Sequence, residues 1–91
     1  MNKMAMLMQM FNVFDTNSFF TIAIENKKCN EVELVYIPPT NILNKIYYYN
    51  DIFSEELEME NNSDIKIVAY ASGKDIQEAT VNIQHKLEKL C

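Results

Sequence analysis

A chain of 91 residues with a single glycine has few places to turn sharply or bring backbones close, and here that glycine, Gly73, stands where the hydrophobic period changes. Before it, Ile65, Ile67, Ala69 and Ala71 alternate with Lys66, Val68, Tyr70 and Ser72, the period of a strand with one face on a core. After it, Ile76, Ala79, Ile83, Leu87 and Leu90 recur at spacings of three and four, an apolar stripe on a helix of about four turns. Asp75, with Glu78 three residues later, supplies an N-cap and its capping-box partner, worth about 0.5 to 2 kcal/mol at the cap. Lys86 and Lys89 fall in the last turn, where the helix dipole favours positive charge. A strand therefore runs into a helix that folds back over it.

Upstream, Phe19 to Glu25 is rich in aromatic and β-branched residues and ends at the polar turn Asn26-Lys27-Lys28-Cys29-Asn30. Glu31 to Ile37 then alternates, with Val32, Leu34 and Tyr36 on one side and Glu31, Glu33 and Val35 on the other, which predicts a hairpin. Pro38 and Pro39 end it, because neither can donate to a sheet ladder. Thr40 or Asn41 caps a following helix carried by Ile42, Ile46, Tyr49, Phe53 and Leu57, with Asn50-Asp51 as a break point and Ser54 as a cap for a second piece. The opening fits two patterns: a helical stripe of Met4, Leu7, Met8, Phe11 and Phe14, or a strand over Met8 to Phe14 that turns at Asp15-Thr16-Asn17-Ser18. The hairpin-like continuation favours the strand, with the methionines as core filling. Gln9 and Asn12 interrupt this apolar stretch, and no small-residue cleavage site follows, so it reads as mature chain rather than a signal peptide.

The expected order is thus β-β-β-α-β-α in a single small domain spanning residues 1–91. The expected fold is α+β, a small two-layer sandwich with a mainly antiparallel sheet of three to four strands and two helices on one face. A right-handed connection through the middle helix would set Glu31–Ile37 parallel to the last strand if the two share a sheet.

Composition excludes more than it identifies. Thirteen acids stand against eight lysines, there is no arginine, and the net charge is −5. Phosphate and base-edge recognition lean on the guanidinium fork and a basic face, so direct nucleic-acid binding is not expected. No apolar run is long enough to span a bilayer. Two cysteines, Cys29 in a polar turn and Cys91 at the end, make a poor disulfide framework and point to a reducing cytoplasm. One glycine cannot build a phosphate-cradling loop, and one histidine, His85, lies off the apolar stripe, so neither a nucleotide cofactor, a histidine-based metal site nor catalysis is expected.

The strongest local anomaly is the segment from Asp51 to Asp64, which holds Asp51, Glu55, Glu56, Glu58, Glu60 and Asp64 and no positive charge. As general acid and base these carboxylates would need desolvation, which an exposed helix does not supply. As cation ligands, Asp51, Glu55 and Glu58 lack the turn-forming glycine and alternating oxygen ligands of calcium loops. Tyr47-Tyr48-Tyr49 precedes the run. Consecutive helical residues point about 100° apart, so with Tyr49 on the buried stripe, Tyr47 and Tyr48 face outward. The candidate partner-binding residues are therefore Tyr47, Tyr48, Asp51, Glu55, Glu56, Glu58 and Glu60. An aromatic patch rimmed by carboxylates suits a larger protein with a basic surface, such as one that handles nucleic acid.

Likenesses to three unrelated families fall on the final strand and helix. Asp75-Ile76-Gln77-Glu78-Ala79 followed by Lys86-Leu87-Glu88 resembles the last helix of ribosome hibernation factors, and the strand-cap-helix pattern is similar to the end of double-stranded-RNA-binding domains. Gly73, Glu78, Ala79 and Asn82 are similar to the helix of HicB-type antitoxins. Shared by unrelated families, these residues imply a strand-to-helix junction and assign no functional residue. In size and charge alone the chain is similar to acidic phage-encoded inhibitors, anti-CRISPR proteins among them. The expected function is a non-enzymatic, protein-binding inhibitor or adaptor. The alternatives are an RNA- or ribosome-associated domain using Lys74, Lys86 and Lys89, or a self-assembling domain that pairs through a sheet edge.

Overall fold

A computed structural model describes residues 2–11 and 17–90. The elements run α1 (Lys3–Met10), β1 (Phe19–Asn26), β2 (Glu31–Ile37), α2 (Ile42–Ile52), β3 (Glu58–Met59), β4 (Asn62–Gly73) and α3 (Ile76–Leu90), with a 3-10 turn at Pro39–Asn41 leading into α2. The strands form one antiparallel sheet in the order β2-β1-β4-β3, so the protein is a small α+β domain, as its patterning predicts. β2 and β4 each run antiparallel to β1 and hence parallel to each other, with β1 between them.

β1 is covered on both faces. Phe20 and Ile22 enter a large core with Leu7, Met10 and Phe11 from α1 and Ile42, Ile46 and Tyr49 from α2. Its rings interlock: Phe11 meets Phe20 at 5.5 Å edge to face and stacks on Tyr49 at 6.2 Å, and Tyr49 meets Phe53 at 5.5 Å. The opposite face is flat and small, with Ala23, Ala69 and Ala71 lying under Ile83 of α3. The middle and last helices therefore do not share a face. α1 and α2 lie on one side and α3 on the other, which makes the sandwich three layers rather than the expected two.

A bulge explains why strict alternation misplaced β4. The register steps from Ala23↔Ala69 to Ile24↔Ile67, leaving Val68 as the extra residue. One inserted residue switches faces. Ile67 joins the large core and Ile65 packs against it, while Ala69 and Ala71 line the small one.

The opening segment is a helix where the sequence favoured a strand. Asn2 caps it, its Oδ1 accepting from Ala5 N–H at 2.7 Å. Leu7, Met10 and Phe11 are buried at helical spacing, so Met8 to Met10 belong to α1. The rest of the expected strand, residues 12–14, and the turn at 15 and 16 lie outside the described residues. The methionines do fill the core: Met10 is buried, and Met4, Met6 and Met8 pack against the cluster.

The junction after β4 is built as the sequence predicts. Asp75 Oδ1 accepts from Glu78 N–H at 2.8 Å, and Glu78 Oε1 accepts from Lys74 N–H at 3.2 Å. Ala79 and Ile83 are fully buried and Leu87 partly so; Ile76, expected on the buried stripe, is half exposed, and the Leu90 side chain lies outside the described set. Gly73 is needed for space: a Cβ there would stand 2.5 Å from the Ala79 backbone nitrogen. Gly73→Ala is expected to cost about 1 to 3 kcal/mol, measured as a lowered thermal midpoint. Thr21 carries a different burden, since its buried hydroxyl has no hydrogen-bond partner among the described residues. Thr21→Val is expected to stabilise the protein by about 1 kcal/mol, roughly 4–8 °C, whereas a loss of stability would show that the hydroxyl is bonded.

Candidate protein-binding site

α2 forms because Ile42, Ile46 and Tyr49 repeat at helical spacing and fix its inner face in the large core. Its outer face follows from the same geometry. Leu43, Tyr47 and Tyr48 are 50%, 57% and 54% exposed, against 3% for Tyr49. Asp51, exposed, lies four residues beyond Tyr47 and three beyond Tyr48, and so shares their outward face. The Lys45 ammonium lies 5.7 Å from the centroid of the Tyr48 ring and 6.0 Å from that of Tyr49. Asn41, Asn44, Lys45 and Tyr48 line an open depression of about 350 Å³ beside this face.

The expected helix does not continue through Phe53 and Leu57. Phe53 turns to extended backbone (φ −109°, ψ 148°) and bridges to Met59. Ser54 then organises a tight loop in place of a second helix. Its N–H donates to Glu58 O at 2.7 Å, and its carbonyl accepts from Leu57 N–H at 3.0 Å. Its Oγ accepts from the N–H groups of Glu56 at 3.3 Å and Glu58 at 3.4 Å. Leu57 closes the loop at φ 64°, a conformation that branched and bulky residues seldom hold. Glu55 and Glu56 stand exposed at its tip.

The acidic run is therefore not one uniform surface. Glu58 is partly buried and pairs with Lys27 at 3.7 Å, and Glu60 pairs with Lys3 at 3.0 Å. Asp51, Glu55 and Glu56 make no ion pair among the described residues. Tyr47, Tyr48 and Asp51 thus share the outer face of α2, Glu55 and Glu56 are exposed in the loop that follows it, and Glu58 and Glu60 are paired with Lys27 and Lys3. Leu43, absent from the sequence-level set, belongs to this face; its place four residues before Tyr47 was the available signal.

The basic alternative is depleted by one lysine. Lys86 Nζ donates to the Tyr70 carbonyl and lies 4.7 Å from the centroid of that ring, so its charge is turned onto the protein's own sheet. His85 and Cys29 are exposed, and Cys91 lies outside the described residues. Among the described residues no three potential metal-ligating side chains gather, and no helix is long and apolar enough to cross a membrane. Comparison with known families, curated proteins and solved structures finds no match for this chain.

Tyr49 gives the site a measurable link to stability. Burial, reinforced by Tyr48 and Glu33, pushes its phenol up to about 12 from 10.0. A group raised in the folded state contributes stability that is complete below the unfolded value and lost as pH climbs through the folded one. Chemical denaturation is expected to show a loss on the order of 2 to 3 kcal/mol between about pH 10 and 12, most of it absent in Tyr49→Phe.

Proposed function

We propose that this protein is a non-enzymatic binding module whose α2 face docks on a basic surface of a larger protein. Leu43, Tyr47 and Tyr48 supply contact area, and Asp51, Glu55 and Glu56 supply charge. One observation carries the reading: of three consecutive tyrosines one is sunk in the core, the other two are more than half exposed on the face that carries Asp51, and Asp51, Glu55 and Glu56 make no ion pair among the described residues. Exposed tyrosine joins an apolar ring to a polar tip at little entropic cost, which is why it is favoured at interfaces. Unpaired carboxylates around it steer a basic partner into place. Where that partner normally holds nucleic acid, the carboxylates stand in for phosphates and the protein acts as an inhibitor by mimicry. Glu58 and Glu60, tied to Lys27 and Lys3, form the rim.

The test is capture from lysate of the source organism by the tagged protein, followed by affinity measurement with the captured protein. Tyr47→Ala with Tyr48→Ala, and separately Asp51→Asn with Glu55→Gln and Glu56→Gln, are each expected to weaken binding about tenfold or more while leaving circular dichroism unchanged. The charge variant also loses salt sensitivity, and Glu58→Gln with Glu60→Gln changes little. Affinity unmoved by both α2 variants, or RNA and ribosomal proteins captured equally by every form, would overturn the reading.

A further inference from the structure

The sheet has two edges, and they are treated differently. On one side β3 has only two residues, too short to template much pairing, and α3 attends to the stretch of β4 beyond it. Asn82 Nδ2 donates to the Ser72 carbonyl at 2.7 Å, and Lys86 Nζ donates to that of Tyr70. Short strands and side chains that occupy edge carbonyls are ways of blunting an edge. β2 carries neither. It extends over seven residues in unbroken register with β1, contains no lysine or proline, and has no second neighbour in the sheet among the described residues.

The direction of its free amides follows from the ladder. Ile67 N–H donates to Leu57 O at 2.9 Å, on the side away from β1, so its register partner Ile24 directs its own N–H and C=O toward β2. Ile24 with Glu33 and Ile22 with Val35 are then the hydrogen-bonded pairs between β1 and β2. Alternation leaves the N–H and C=O groups of Val32, Leu34 and Tyr36 on the open edge. Their side chains lie on the α3 face, opposite those of Val35 and Ile37. α3 packs mainly over β4 and β1; on β2 Leu34 packs against the small core, while Val32 and Tyr36 are 47% and 45% exposed.

We propose that β2 is the interface for a second copy of this chain, pairing antiparallel about a two-fold axis through Leu34 to give one continuous sheet. The strand is self-complementary in that register. Leu34 faces Leu34, and Val32 faces Tyr36 of the second copy, so every outward amide meets an outward carbonyl. Glu33 falls opposite Val35 and Glu31 opposite Ile37, so no glutamate directly opposes another. A two-fold axis at Glu33 would set like charges face to face, and one at Tyr36 would set Leu34 against Pro38. The Val32–Tyr36 pairs are the β-branched and aromatic combination that stabilises neighbouring strands. The two Glu33 side chains come near on the diagonal, so added salt tightens the pairing. This interface lies on a different element from the α2 face and stands or falls separately.

The test is sedimentation of the full chain from micromolar to millimolar concentration, with amide hydrogen exchange followed across the same range. Expected are a dimer, and protection gained on association at the amides of Val32, Leu34 and Tyr36. Val32→Lys with Tyr36→Lys alters exposed positions and sets lysines opposite each other, so it weakens the dimer about tenfold or more with unchanged circular dichroism. Leu34→Pro removes an outward donor from the centre of the edge and has the same effect. A protein still monomeric at millimolar concentration would overturn the proposal. So would a dimer whose three edge amides stay unprotected, or one that survives the lysine variant, because another surface would then be responsible.

Discussion

The structure depends on β1 having both faces buried. Phe20 and Ile22 anchor the α1–α2 layer, Thr21 and Ala23 the α3 layer, and both long strands pair directly with this one. A small domain has little core to spare, and sharing one strand between two cores is how this chain buries residues as different as Phe11 and Ala69. The two faces are unequal by design of the side chains: rings on one, alanines on the other. Alanines allow α3 to approach closely, and that closeness is what leaves no room for a Cβ at Gly73. Thr21 sits in the same tight layer, where its methyl packs and its hydroxyl goes without a partner among the described residues.

β4 reconciles the unequal layers. Its bulge at Val68 lets the lower half feed isoleucines to the ring-filled core and the upper half feed alanines to α3. Beyond the bulge, Asn82 and Lys86 reach from α3 to the strand's outer carbonyls, so the helix covers a face and blunts an edge together. The exposed Lys86 is thereby held to the Tyr70 carbonyl, while Glu55 and Glu56 beyond α2 stand exposed with no ion pair among the described residues.

Much of this was legible in the residues. The Asp75–Glu78 cap, the single glycine, the β1–β2 hairpin and the division of the three tyrosines follow from spacing alone, because each is fixed within a turn or two of its own sequence. What was not legible depends on distant contacts. Strict alternation through Ile65, Ile67, Ala69 and Ala71 carries no mark of a bulge, since apolar residues suit either face. Met8 to Met10 satisfy strand and helix periods alike, and the choice was made by Leu7 and Phe11 packing toward α2. Phe53 and Leu57 continue the α2 stripe in sequence, yet Ser54 draws the chain into a loop and β3 pairs across it. Of the candidate site, the tyrosines and Asp51 were readable; that Lys27 and Lys3 pair with Glu58 and Glu60 was not, because Lys27 comes from the β1–β2 turn and Lys3 from α1, both distant in sequence.

The surface we propose for binding lies where the core has fixed one tyrosine and turned its neighbours out, followed by a loop whose two tip carboxylates face water. The most direct measurement is an NMR titration of the labelled protein with the partner it captures. Amide shifts are expected to cluster at Leu43, Tyr47, Tyr48, Asp51, Glu55 and Glu56 while those of β1 stay still. Shifts confined to Lys74, Lys89 and the exposed side of α3 would contradict it and move the binding surface to the opposite layer.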